Sequence, residues 1–217
     1  MQQFDQWLNA ICHPAVGDDG CRDRAVAAMK AAGVDVVFPQ LADRLSSADP
    51  EARCEAITGL LFLDARQAVP LVAGMLADPE LVVRWHASGC LHDFGDERAI
   101  PALARVLRSD PDPQVRGTAA YALGGIGSPA AIPDLLAVLG VDNEYDTHGH
   151  SASSCAATAL DDILGTHESR IRLEGGLCRM AGWPPDLDRL RRLAEELFRR
   201  WSNSEATPGT SLPSDGG

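Results

Sequence analysis

The chain has 217 residues, 45% hydrophobic and 23% charged, with a formal charge of −12 at pH 7. That is the size and profile of one ordinary water-facing domain or one repeat array with a real core. The negative balance repels phosphate backbones and anionic lipid surfaces at long range, which sets nucleic acid and membrane aside as partners. Aromatics are only 5% and alanine is abundant, favouring close-packed helices over sheets.

Apolar runs such as "GLLFL" are far shorter than the roughly 20 residues of a transmembrane helix. The start "MQQFDQWLNAICHP" lacks the basic segment and apolar stretch of a signal peptide. The cytoplasm is therefore the expected location. Cys12, Cys21, Cys54, Cys90, Cys155 and Cys178 are scattered without a C-x-x-C pair, as expected of reduced thiols, several of them buried as small apolar residues.

In chain order, the first expected element is a helical pair over 2–12 and 21–32. Prolines then recur at Pro39, Pro70, Pro101 and Pro133, at spacings of 31, 31 and 32. At matching distances before them stand Arg22, Arg53, Arg84 and Arg116, then Ala25, Ala56, Ala87 and Ala119. Two apolar columns follow: Met29, Leu60, Leu91 and Leu123, then Ala32, Leu63, Phe94 and Ile126. Four columns in register over four copies mark an α-solenoid.

Each copy predicts a first helix with proline in its first turn, such as "AIPALARVL", where the missing N–H costs nothing. A turn follows whose Asp caps the next helix, as in "SDPDPQ". The second helix is rich in small residues, as in "QVRGTAAYALGGIG", letting neighbours approach closely. The units so delimited are 2–33, 34–64, 65–95, 96–127 and 128–165. Beyond them, 166–201 is expected to cap the array through one amphipathic helix with Leu187, Leu190, Leu193, Leu197 and Trp201 on one side. Residues 202–217 are expected to be a disordered Pro/Gly/Ser-rich tail.

These columns resemble HEAT repeats, specifically the short PBS-lyase HEAT-like subtype of armadillo-type solenoids. The resemblance rests on the first-helix prolines, the turn aspartates Asp49, Asp78 and Asp112, and the pairs Ala52-Arg53, Val83-Arg84 and Val115-Arg116. It implies an all-α, right-handed α-α superhelix. It also implies that those aspartates and Arg53, Arg84 and Arg116 form a ladder between neighbouring units, and that the second helices line a concave binding face. Three rows of residues should then face the groove: Asp23, Cys54, Trp85, Gly117 and Ser154; Ala27, Thr58, Gly89, Tyr121 and Thr158; Lys30, Leu61, His92, Gly124 and Asp161. Trp85, His92, Tyr121, Thr158 and Asp161 are the candidate partner contacts, with the two aromatics as anchors for a protein or peptide ligand.

Catalytic readings find little footing. The HEAT-repeat di-iron hydroxylases place His-Glu pairs on successive second helices, whereas the one His-Glu here is His167-Glu168, after the last repeat helix. His86 and His92 are followed by Ala87 and Asp93. Bilin lyases of this repeat type offer no compact motif to test against. No G-x-S-x-G, P-loop or dinucleotide fingerprint occurs, and a DNA-binding HEAT array would need a basic concave face, where these rows supply only Lys30. No catalytic residue and no cofactor is assigned.

One segment departs from the period. The distance from proline to the arginine column is 14, 14 and 15 residues, but 20 from Pro133 to Ser153. The inserted turn, "VDNEYDTHGH", holds Asp142, Glu144, Asp146, His148 and His150. Asp146, His148 and His150 are weak metal candidates, but the spacing matches no established loop and no Cys pair completes a zinc site. Asp146 or Thr147 as cap of the next helix, or the loop as partner surface, are the other readings. An enzyme or accessory protein acting through Asp142–His150 is the alternative to a concave-face adaptor.

Overall fold

A computed structural model describes residues 2–13, 20–165, 173–174, 177–178 and 187–205. Its helices are α1 (Gln2–Cys12), α2 (Cys21–Ala31), α3 (Val34–Arg44), α4 (Pro50–Met75), α5 (Leu81–Phe94), α6 (Ile100–Ser109), α7 (Pro113–Ile126), α8 (Ile132–Val138), α9 (Ala152–Leu164) and α10 (Leu187–Glu205). Among the described residues, strand structure is confined to the antiparallel pair β1 (Leu173–Glu174) and β2 (Leu177–Cys178), apart from an isolated bridge at Tyr145 and Ser151. The molecule is an all-α solenoid.

α4 is two helices run together: Asp64 (φ −154°, ψ 91°) breaks it into 50–63 and 65–75. As one span it is long and apolar enough to cross a membrane, but half of the apolar window is buried inside the fold. The first half of α4, then α5, α7 and α9 pack side by side as the second helices of successive units. Their Ala column (Ala56, Ala87, Ala119, Ala156) and Leu column (Leu60, Leu91, Leu123, Leu160) are wholly buried. One column brings the backbones close and the other fills the space between first and second helices.

Backbone meets backbone at Gly124, where a Cβ would stand 2.7 Å from the Cα of Ala159. Only a hydrogen fits there. Gly127, at φ 72°, ends α7 in the left-handed conformation that glycine adopts without strain.

Prolines 101 and 133 lie at the second position of α6 and α8, each after a 3-10 turn (Glu97–Ala99 and Pro129–Ala131). Pro39 and Pro70 depart from the expectation. They sit one turn inside α3 and the second half of α4, because the leading turn is continuous with the helix instead of forming a separate 3-10 turn.

The ladder is real but shifted. Arg53 grips Asp78 with Nε and Nη2, both at 2.8 Å. Arg84 does the same to Asp110 at 2.7 and 3.1 Å, and Arg116 to Asp142 at 2.6 and 3.2 Å. Each Nη1 also donates back to the turn before its own helix, to the carbonyls of Ser47, Asp78 and Asp110 respectively.

Asp49 and Asp112 are not rungs. Each precedes a proline and caps its own helix, accepting from Glu51 N at 3.0 Å and Gln114 N at 2.9 Å. A side chain committed to its own helix N-terminus cannot also reach the arginine of the preceding unit. Hydrogen bonding to the partner aspartates raises Arg53, Arg84 and Arg116 above the ordinary guanidinium range, so the charged form is favoured throughout.

The array closes with α10 against α8 and α9. Leu190 and Ala194 are its buried positions, Leu187, Leu197 and Phe198 pack beside them, and Arg191 Nη2 donates to Leu139 O at 3.2 Å. Trp201 instead leans on Phe198, ring centroids 5.7 Å apart. Ser202 to Glu205 continue α10 as helix instead of beginning a disordered tail. The rest of that tail, His167-Glu168 and most of 166–186 lie outside the described residues.

Two expectations follow. Asp110→Ala should cost about 3 kcal/mol, since it strands a partly buried guanidinium. Asp112→Ala should cost only about 1 kcal/mol, the worth of a cap. Urea unfolding of the two variants checks the order, and the reverse order would return Asp112 to the ladder. Gly124→Ala should cost about 1–3 kcal/mol, seen as a lowered Tm, because the clash is with backbone.

Candidate protein-interaction surface

Helical rotation decides which groove rows reach solvent. On each second helix, residues one and eight past the arginine differ by about 20° in direction, and the residue five past it points about 40° further round. On α7 and α9 the first and third rows therefore turn inward, whereas Asp23, Lys30 and Trp85 of the same rows stay exposed. Gly117 meets Cys155 Sγ, Gly124 meets Ala159, and Leu61, Ser154 and Asp161 are buried. Asp161, only 4% exposed, is not a groove contact. Thr158 is half-buried and donates to Ser154 O on its own helix.

The row five past the arginine stays open. A Cβ on Gly89 would meet nothing within 4 Å, and Tyr121 is 46% exposed. Trp85, 42% exposed, stands with Val82 on the same outward side of α5. His92 bridges to α7: its ring stacks on Tyr121 with centroids 4.1 Å apart and planes 2° from parallel. Its Nδ1 pairs with Asp93 at 2.8 Å, and the ring rests where a Cβ on Gly125 would be. Trp85, His92 and Tyr121 thus share the α5–α7 surface, where the stack of His92 on Tyr121 fixes those two rings against each other.

Beside it lies a groove of about 750 Å³ between the C-terminal end of α1, the first half of α4, and α5. Of its lining, Cys54, Thr58 and Leu61 stand in the rows expected to face the groove; the others were not assigned to it from the sequence, because they come from four separate helices and share no motif. Ile11, Leu61, Phe62 and Phe94 give it an apolar floor, and Cys12, Cys54 and Cys90 line the walls. His86 Nε2 lies 2.8 Å from Thr58 Oγ1 and 3.6 Å from Cys90 Sγ. Burial lowers the His86 pKa, keeping the ring neutral. Burial also pushes the Cys12 and Cys54 thiols up to about 11 and Cys90 up to about 12. These are quiet apolar thiols, not nucleophiles.

The inserted loop between α8 and α9 is largely consumed by structure. Asp142 is the last rung of the ladder, and Glu144 joins it on Arg116 Nη2 at 2.7 Å. Asp146 holds its own turn: its Oδ1 accepts from the backbone N–H of His148 and of His150, both at 2.8 Å, and Gly149 turns the chain at φ 82°. The helix cap is Ser151, in a reciprocal box with Ser154, rather than Asp146 or Thr147. His150 Nδ1 is 3.6 Å from Asp146 Oδ2, and the rings of His148 and His150 are 6.4 Å apart. Among the described residues no three His, Cys, Asp or Glu side chains are arranged to hold a metal ion.

Residues 38–113, 76–156 and 106–177 match the family model of HEAT repeats. The chain belongs to the HEAT-repeat family. No curated protein sequence matches it. Among solved structures, one engineered protein is similar at 20% identity with a TM-score of 0.53, over 91% of this chain and 54% of that one. Another engineered protein is similar at 17% identity with a TM-score of 0.48, over 92% of this chain and 98% of that one. HEAT repeats generally serve as scaffolds for protein interactions, and this array presents its open row on the second helices.

The thiols give a direct check. At pH 8, Cys12 and Cys54 should alkylate with iodoacetamide roughly 100-fold more slowly than in the urea-unfolded chain, and Cys90 more slowly still. The first factor is the thiolate deficit of a pKa raised from 9.0 to about 11. Equal rates would mean that the groove walls are solvated.

Proposed function

We propose that this HEAT solenoid is a cytoplasmic interaction scaffold that binds a protein or peptide segment across the surface formed by α5 and α7. The observation that carries the reading is the pair Trp85 and Tyr121. In a chain so poor in aromatics, both stand 42% or more exposed on one helical surface. Large aromatics that offer area at low entropic cost are the usual anchors of recognition. Gly89, on the same helix as Trp85, leaves room above the backbone for a ligand chain.

The competing reading, an enzyme or accessory protein working through Asp142–His150, has less to build on. Two of that loop's carboxylates are engaged by Arg116 and the third by its own turn. The exposed Tyr145 and His148 at its edge are better suited to extending a contact surface.

The test is selection of peptides from a random display library on the native protein. Trp85→Ala/Tyr121→Ala should weaken the selected peptides at least tenfold. Gly89→Trp should block them while leaving Tm unchanged or higher, because glycine is a poor helix former. If no peptide is selected, or the selected peptides ignore both variants, the reading is wrong.

A further inference from the structure

The groove beside Trp85 has a chemical character that narrows the partner. Its polar interior is already paired: Thr58 Oγ1 donates to Cys54 O and meets His86 Nε2, and Cys12 Sγ faces Glu55 O. Among the described residues the one buried side-chain polar atom without a partner is Arg44 Nε, which is not in the groove lining. No buried donor or acceptor inside calls for a polar small ligand. The floor of Leu61, Phe62 and Phe94 calls for an apolar side chain.

The rim is acidic. Asp49, Glu51, Glu55 and Asp93 line it. Glu55 is neutralised by Arg44 at 3.0 Å, and Arg22 is the one arginine in the lining. Arg22 keeps its positive charge but is turned to the α1 side, its Nε donating to Ile11 O at 3.0 Å and its guanidinium 5.5 Å over the Phe62 ring, so the four carboxylates still leave the rim acidic. Glu51 and Asp93, with side chains 75% and 67% exposed, still present oxygens to solvent, although Asp93 also pairs with His92 Nδ1 at 2.8 Å and Glu51 lies 4.0 Å from His13 Nε2. The whole chain carries −12 behind them.

We propose that this groove receives a basic segment of the partner protein, one aromatic or aliphatic side chain on the Leu61–Phe62–Phe94 floor and lysines or arginines against Glu51 and Asp93. The inference rests on the scaffold reading and specifies its ligand. The charge pattern speeds encounter and selects for sign. The buried side chain supplies the affinity, since exposed ion pairs contribute little. The soft, neutral thiol walls suit side chains of varied shape.

The probes are three fluorescein-labelled peptides with a central phenylalanine flanked on both sides by lysine, serine or glutamate, and a lysine-flanked control with serine at the centre. Fluorescence anisotropy reads binding to the full chain at about 30 and 300 mM NaCl. The lysine-flanked phenylalanine peptide should bind at least tenfold tighter than the other three at low salt, and its advantage over the serine-flanked peptide should shrink at the higher salt. Glu51→Lys/Asp93→Lys, two surface changes whose fold is checked by circular dichroism, should remove that preference. Thr58→Trp, which fills the groove without changing charge, should abolish binding at low salt.

Equal binding of the serine-centred control reduces the effect to non-specific charge and overturns the proposal, as does an unchanged preference in Glu51→Lys/Asp93→Lys. If display selection yields peptides that depend on Trp85 and Tyr121 but are not basic, this inference falls and the scaffold reading stands. If neither display nor these peptides bind, both fall.

Discussion

The bidentate grip of an arginine in one unit on an aspartate in the turn of the next sets the geometry on which the rest depends. A helix pair of this size buries only part of its apolar surface alone and must borrow a neighbour. Stacking by apolar contact is non-directional and tolerates sliding. The fork of Arg53, Arg84 or Arg116 on a single carboxylate does not, because two parallel N–H···O bonds fix both separation and rotation. Each arginine also holds the turn before its own helix, so it ties its unit in both directions. With register pinned, Gly124 can sit against Ala159 and the Ala column can close the helix spacing.

The ladder stops where the chemistry for it stops. Arg22 stands in the arginine column, but Ser47 occupies the place of the next acid, so the guanidinium turns to Ile11 O and the Phe62 ring. That failed rung helps form the groove between α1 and α4. At the other end Ser153 takes the arginine position and accepts from Gly140 N at 2.7 Å, tying down the inserted loop. The loop serves the array first, Asp142 completing the third rung and Glu144 reinforcing it.

Much of this was legible in the sequence. The 31-residue period, the buried Ala and Leu columns, the position of the insertion and the exposed Trp85 and Tyr121 all follow from spacing and composition. The errors came from choices between neighbours. "SDPDPQ" offers two aspartates, and only the fold shows that Asp110 reaches across while Asp112 caps. Asp161 shares a spacing with His92, yet it is buried and His92 lies half open on Tyr121. A rotation of some 40° to 60° around a helix, invisible in a list of columns, separates the buried Gly117 and Gly124 from the open Tyr121.

By itself the sequence determined the repeat, the helix pairing and the side of each helix that enters the core, because helical periodicity and small-residue spacing are local properties written along the chain. The tertiary structure alone decided which acid answers which arginine, which row faces the groove, and that Cys12, Cys54, His86 and Cys90 come together over Thr58. Those are contacts between residues some 25 to 80 positions apart. Their partners are selected by how units stack, and stacking is set by the summed packing of the whole array.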